Sequence, residues 1–224
     1  ATSTNSSRLP PKIDTSKKLQ IVDMGSGKGY LTFALYDYLH NQLKLDVSIT
    51  GVELRGNLVD LCNSIRTECG FENLQFISKD INDFTSEEID VIIALHACDT
   101  ATDLAIYKGI KANAELIVCA PCCHKQVRKD MGTSNTFKAI TKHGIFEERQ
   151  AEMLTDAIRS LLMEREGYTT KAFEFISNEH TRKNVMLVGR KLKESGDTEA
   201  INLEIKNLKD SFTIKRQELE DLLA

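Results

Sequence analysis

From Leu19 onward, short apolar runs alternate with stretches of helical period. The runs cover residues 19–24, 48–54, 74–78, 90–95 and 115–120. Each is rich in Val and Ile and lacks polar alternation, as expected for parallel strands covered on both faces. Helical periods occupy residues 31–41, 57–69, 102–111 and 147–166. This rhythm predicts an open α/β sheet with right-handed crossovers. After Gly167 the pattern changes. Runs at 171–176 and 185–190 are separated only by residues 177–184, too few for a helical crossover, so they should pair antiparallel. The expectation is a mostly parallel seven-stranded sheet closed by an antiparallel C-terminal hairpin, with helices on both faces. From Ile201 to Leu222, apolar positions recur among charges and predict one or two amphipathic helices that cap the domain or meet a partner. The expected organisation is a linker over 1–16, a domain over 17–193 and a helical tail over 194–224. No internal repeat is visible.

A chain of 224 residues suffices for one domain with a substantial core. Its 41% hydrophobic and 28% charged content is that of an ordinary globular protein. The apolar runs are too short to cross a bilayer. The Ser/Thr/Asn-rich start lacks the charged and apolar regions of a signal peptide, so the expected compartment is the cytoplasm. Pro10 and Pro11 mark the opening residues as a linker, and the missing initial Met suggests the C-terminal part of a longer protein. Six irregularly spaced cysteines, with Cys122 and Cys123 adjacent, do not form a secreted disulfide framework. A net charge of −4 excludes a nucleic-acid grip by the whole domain, so RNA contact requires a local basic patch.

The most specific element is Ile21-Val-Asp-Met-Gly25-Ser-Gly27-Lys-Gly29-Tyr30. Strand, glycine turn and helix in this order present backbone N–H groups to a nucleotide-like ligand. Tyr30 stands where a dinucleotide-binding turn would want its third glycine. That points away from NAD and toward S-adenosyl-L-methionine, which has no pyrophosphate to seat at a helix N-terminus. Asp23 is placed to accept from the turn and attract the ligand's amino group. Glu53, closing the second strand, would hold the ribose hydroxyls, and Asp80 the adenine amino group, with Ile81 packed on the ring. Each acid alone also fits a helix cap or a solvated turn. Acids after three successive strands, on one sheet edge, favour the cofactor reading. The expected binding set is Asp23, Gly25, Ser26, Gly27, Gly29, Glu53, Asp80, Ile81 and His96.

The fourth and fifth strands end in Ala94-Leu-His96-Ala-Cys98-Asp99-Thr-Ala-Thr102-Asp103 and Cys119-Ala-Pro121-Cys122-Cys123-His124-Lys125. Both fall on the carboxyl edge that carries the glycine turn. These motifs resemble the signature of eukaryotic tRNA 2′-O-methyltransferases that act on the acceptor stem, and a broader set of methyltransferase-like domains. The resemblance runs from about Leu19 to Arg190. It implies a Rossmann-like class I S-adenosyl-L-methionine-dependent methyltransferase acting on an RNA ribose hydroxyl. The tRNA enzymes tend to have a second His where this chain has Lys125, and Gly where it has Asp99. Their zinc-finger modules have no counterpart here. A small-molecule or protein methyltransferase, and a non-catalytic cofactor-binding scaffold, stay open.

Transfer from a sulfonium is an in-line displacement, so alignment dominates and a hydroxyl acceptor must also lose its proton. His96 and His124 are the first candidate bases and Asp99 the next. Lys125 would orient a phosphate or polarise the acceptor. The competing reading makes the histidines strand-end residues bonded to backbone. No Asn/Asp-Pro-Pro-Tyr/Phe element follows the fourth strand, which argues against base-amino methylation. Cys98, Cys122, Cys123, His96 and His124 bring zinc to mind, but adjacent cysteines rarely share one ion, and small buried thiols are the commoner explanation. No metal is therefore expected. Arg182 and Lys183 in the hairpin loop, with Lys125, Arg128 and Lys129, would make a small patch for phosphates. His180 is a weaker candidate for the substrate side. A solvated turn accounts equally well for that loop.

Overall fold

Seven strands form a single sheet in the order β3-β2-β1-β4-β5-β7-β6. They are β1 (Leu19–Met24), β2 (Val47–Glu53), β3 (Leu74–Ser78), β4 (Val91–Ala94), β5 (Leu116–Cys119), β6 (Tyr168–Glu174) and β7 (Val185–Lys191). The computed structural model describes residues 13–86, 88–95, 97–131, 138–175, 184–192 and 196–224. Five strands run parallel, and β7 pairs antiparallel with both β5 and β6. The sheet is therefore mostly parallel with an antiparallel C-terminal pair, as the spacing of the runs requires. Asp23 in β1 is registered with Gly51 of β2 on one side and Ile93 of β4 on the other. The chain leaves β1 in one direction and returns to β4 in the other, so the crevice at their carboxyl ends is a topological switch point.

Helices cover both faces, which is why the strands read as continuous apolar runs. Ile21, Ile49, Leu74 and Phe76 pack with Tyr36, Val59 and Cys62 beneath α1 (Tyr30–Tyr36) and α2 (Gly56–Glu68). Val22, Met24, Ile92 and Ile117 face the other way, into α3 (Thr100–Lys111) and α6 (Gly144–Arg165). Successive residues of β1 thus point into opposite cores, each apolar. Two short helices, α4 (Lys125–Asp130) and α5 (Lys138–Thr141), lie between β5 and α6. The first helix ends sooner than its apolar period suggests and widens into a π-helical segment at Asp37–Gln42.

The tail forms α7 (Thr198–Phe212) and α8 (Glu218–Leu223). Ile205, Ile214 and Leu219 are buried in the larger core, where an aliphatic side chain is worth about 1.5–3 kcal/mol. Polar contacts bind the same segment to α4. Asp130 Oδ2 accepts from the N–H groups of Lys215 (2.5 Å) and Arg216 (2.7 Å), and Gln126 Oε1 accepts from Glu218 N–H at 3.1 Å. Among the described residues, no helix is long and apolar enough to cross a membrane. The loop carrying His180, Arg182 and Lys183 lies outside the described residues, as does His96.

Candidate active site

Gly25, Gly27 and Gly29 have φ of 75°, 58° and 72°, a left-handed conformation repeated at alternate residues that L side chains adopt only with strain. The Gly25 and Ser26 N–H groups donate to Val52 O at 2.8 and 3.0 Å, fastening the turn to β2. Gly27 N–H donates to Glu53 Oε2 at 3.0 Å. Gly29 starts α1, and a Cβ there would stand 3.0 Å from the Phe76 ring and 3.1 Å from Phe33. The absent side chain lets the helix close onto the sheet. A cleft of about 620 Å³ opens over Gly25 and Gly27 and passes Glu53, Asp80 and Ile81 to reach Ala97 and Cys98. Lys28, Arg55 and the largely exposed Tyr30 also border it.

Asp23, Ser26 and Gly29 do not line this cleft. Asp23 is buried, and its Oδ2 accepts from Thr32 Oγ1 at 2.7 Å, tying β1 to α1. Ser26 Oγ is buried with no partner. Glu53 lines the cleft but is heavily engaged. Arg55 grips it with Nε on Oε1 at 2.8 Å and Nη2 on Oε2 at 3.2 Å, and its own N–H adds a bond of 3.0 Å to Oε1. With Gly27, four donors fill roughly the four acceptor sites of a carboxylate. The Arg55 guanidinium holds the Glu53 carboxyl below its ordinary range, against the opposing effect of burial. The Arg55 side chain itself is 63% exposed. Asp80 is exposed and accepts from Asn82 N–H at 2.8 Å through one oxygen.

The loop after β4 supplies the opposite wall of the cleft through Ala97 and Cys98, and the loop after β5 lies behind it. Asp99 adopts φ 54°, ψ −122°. Its carboxylate accepts from Gln126 N–H at 3.3 Å, in the first turn of α4, and its carbonyl accepts from Arg159 Nη2 at 3.0 Å. Cys98 Sγ lies 3.0 Å from Cys122 Sγ, which is 3.7 Å from Cys123 Sγ. Burial first, and then the neighbouring thiols, push Cys122 up to about 12, so it is a thiol at neutral pH. A smaller cavity of about 170 Å³ is lined by Cys122, Cys123, His124 and Lys125 on one side and Glu148 and Glu152 on the other.

His124 is buried, with Nε2 3.2 Å from Asp156 Oδ1 and Nδ1 without a partner. In the tautomer that donates from Nε2 to Asp156, the lone pair of the ring sits on Nδ1. Asp156 Oδ1 also accepts from Arg159 Nη1 at 3.1 Å. Arg159 is fully buried and holds Asp103 in a fork, Nε on Oδ1 at 2.9 Å and Nη2 on Oδ2 at 2.6 Å. Burial opposes its charge, but Asp103 and then Asp156 outweigh that and raise its pKa. Gln217 Nε2 donates to Asp103 Oδ1 at 2.7 Å. Arg128, a member of the expected phosphate patch, has acidic neighbours. It pairs with Glu147 at 3.3 Å and Glu148 at 3.8 Å, while Lys125 and Lys129 are exposed.

Residues 4–130, more than half of the sequence, match the family described as "Methyltransferase domain". The chain belongs to this methyltransferase family. Similar curated proteins are the human glutathione S-transferase C-terminal domain-containing protein, 26% identical over 194 residues, and a homologue from Drosophila pseudoobscura pseudoobscura, 26% identical over 209. The matches take in 76% and 79% of this chain but 30% and 34% of those proteins, so the chain spans about a third of their length. Among solved structures, an rRNA methylase from Streptococcus thermophilus superposes with a TM-score of 0.50 at 16% identity, over 79% of this chain and 88% of its own. The DszA carbon methyltransferase gives 0.50 at 11%, over 80% of this chain and 49% of its own. These likenesses establish a Rossmann-like methyltransferase fold.

In this methyltransferase domain the structure gathers Gly25, Gly27, Glu53, Asp80 and Ile81 along one cleft, with Cys98 at its far wall. His124 and Lys125 border the second cavity instead, and Asp99 caps α4. Arg55, Asp156 and Arg159 are absent from the sequence candidates. Arg159 had left a signal: it lies on the face of α6 formed by Ala151, Leu154, Ile158 and Leu162, where an arginine needs buried acids.

Proposed function

We propose that this domain is an S-adenosyl-L-methionine-dependent methyltransferase that uses His124 to take a proton from a hydroxyl acceptor. The observation that carries the reading is the cleft over the left-handed glycine turn with carboxylates at Glu53 and Asp80. Gly25 and Gly27 let a ligand approach the backbone. Glu53 would accept from both ribose hydroxyls once Arg55 swings out, and Asp80 from the adenine amino group, with Ile81 against the ring. When bound, the cofactor supplies an electrophilic methyl on a sulfonium, and the protein's task is alignment and proton removal. Nδ1 of His124, buried in the free protein, would take that proton once an acceptor in the second cavity opens a path to it. Asp156 stabilises the resulting imidazolium, and Arg159 fixes Asp156 in place. Asp99 and Lys125 complete the described candidates at this edge, and His96, which lies outside the described residues, stays a candidate on the sequence alone.

A ribose hydroxyl of RNA is the first acceptor to test, supported by the Cys-Cys-His resemblance and by the exposed Lys125 and Lys129. A small-molecule acceptor is supported by a different observation: the second cavity is small, and Glu147 and Glu148 offset the charge of Arg128. The test is transfer of label from radiolabelled cofactor into total RNA, protein and metabolite fractions. Label in RNA is the expected result; label confined to metabolites would move the acceptor class. Cofactor binding without transfer to any fraction would leave a scaffold and end the enzyme reading. His124→Ala should lower turnover by roughly 10²–10⁴-fold while calorimetric cofactor affinity stays nearly constant. A fully active variant would remove His124, and His96→Ala would then be the variant to compare.

A further inference from the structure

Three thiols from two loops meet between the cofactor cleft and the smaller cavity. Cys98 is exposed on the cleft wall, and Cys122 and Cys123 are half-buried beside the cavity. Their sulfurs all lie within 4.8 Å of one another. At 3.0 Å the Cys98 and Cys122 sulfurs are unbonded, since a disulfide closes to about 2.05 Å. The transferase reading uses none of the three. We propose that Cys98, Cys122 and Cys123 form a binding site for one Zn²⁺ ion, with the fourth coordination position open to solvent.

The metric fits. Zinc–sulfur bonds of about 2.3 Å in a tetrahedron set the sulfurs roughly 3.8 Å apart. The observed separations of 3.0 and 3.7 Å and the 4.8 Å limit bracket that value, so each thiol need move by less than ~1 Å. The donor set fits as well: three sulfurs with no oxygen select a soft ion over Mg²⁺, Ca²⁺ or Mn²⁺. Adjacent cysteines usually diverge, yet here both turn toward Cys98. The position of Cys98 is enforced by its neighbours. Asp99 keeps a positive φ of 54° while Arg159 holds its carbonyl and Gln126 N–H its carboxylate, and Thr102 Oγ1 donates to Ala97 O at 2.6 Å. Such strain persists only where the surroundings over-determine it. Three protein ligands and an open position are the arrangement of zinc sites that do chemistry; purely structural sites are closed by four.

The test uses the full chain, purified under reductant and stripped with a chelator. It is titrated with Zn²⁺ by calorimetry and with Co²⁺ by absorption. The expected result is one ion per chain, with sulfur-to-cobalt charge-transfer absorption and the visible bands of tetrahedral cobalt. Cys98→Ser and Cys122→Ser should each lower affinity by more than ~100-fold, beyond the loss typical of an outer-shell partner. Cys69→Ser, on the exposed end of α2, should leave it unchanged. No charge-transfer absorption in the wild-type protein would overturn the proposal whether or not the variants fold. So would undiminished affinity in Cys98→Ser, or a Cys98–Cys122 disulfide, two hydrogens lighter by mass, that persists through the reductant treatment. The readout is metal occupancy, so a failed methyl-transfer assay does not touch it.

Discussion

Glu53 accepts four hydrogen bonds before any ligand arrives, two of them from the Arg55 guanidinium. On the proposed reading such a carboxylate would serve as a diol receptor, since a sugar would exchange donors with Arg55 and no acceptor would be desolvated alone. The same pairing has a consequence for pH. Arg55 keeps the folded-state carboxyl below its unfolded value, near ~4.3 for a free Glu. The resulting stabilisation is fully present above the unfolded value and is lost as pH falls through the lower folded one. Arg55→Gln should therefore be slightly less stable than wild type at neutral pH, with the deficit closing in acid. Denaturant melts across that range check it; a deficit that widens as pH falls would contradict the assignment. The glycine turn and Glu53 were legible in the sequence because their chemistry is local. Arg55 was not, since an arginine two residues past a strand reads as an ordinary surface cation.

At the level of elements, α6 carries the part of the site that the sequence concealed. Its Asp156 reaches His124 across 32 residues and its Arg159 reaches Asp103 across 56, distances over which no spacing rule operates. The strands were easier. Runs covered on both faces announce themselves, and β1 and β3 occupy the residues their apolar runs mark. Strand β6 begins at Tyr168, earlier than its apolar run, because pairing with β7 recruits Thr169 and Thr170, which no hydropathy pattern would select. Removing Arg159 takes the guanidinium partner from buried Asp103 and half-buried Asp156, so Arg159→Met should cost about 3–5 kcal/mol by chemical denaturation. The double variant Arg159→Met, Asp103→Leu should recover part of that loss, since it removes one stranded charge. A single variant as stable as wild type would mean that the acids find other partners.

Over the whole molecule, the sheet places two unlike walls against one crevice: a backbone-rich glycine turn from the first half and a side-chain-rich pair of loops from the second. The first wall is built by the fold, and that Rossmann-like fold recurs in methyltransferases of very low identity. The second wall carries Cys98, with Cys122, Cys123, His124 and the acids around the smaller cavity behind it, and it is where specificity would reside. The C-terminal helices are also part of this wall's support. They share the larger core through Ile205 and Leu219 and reach the site through polar contacts on α3 and α4.

One thread runs from the last turn of the chain to the proposed base: Gln217 to Asp103, Asp103 to Arg159, Arg159 to Asp156, Asp156 to His124. Loosening its far end should be felt at the imidazole. Gln217→Leu is expected to slow methyl transfer while leaving cofactor affinity intact, and equal rates in single-turnover assays would show the thread to be slack. Anything fused close behind α8 would pull within a few residues of this tether, so that position is a poor handle for anyone measuring the chemistry.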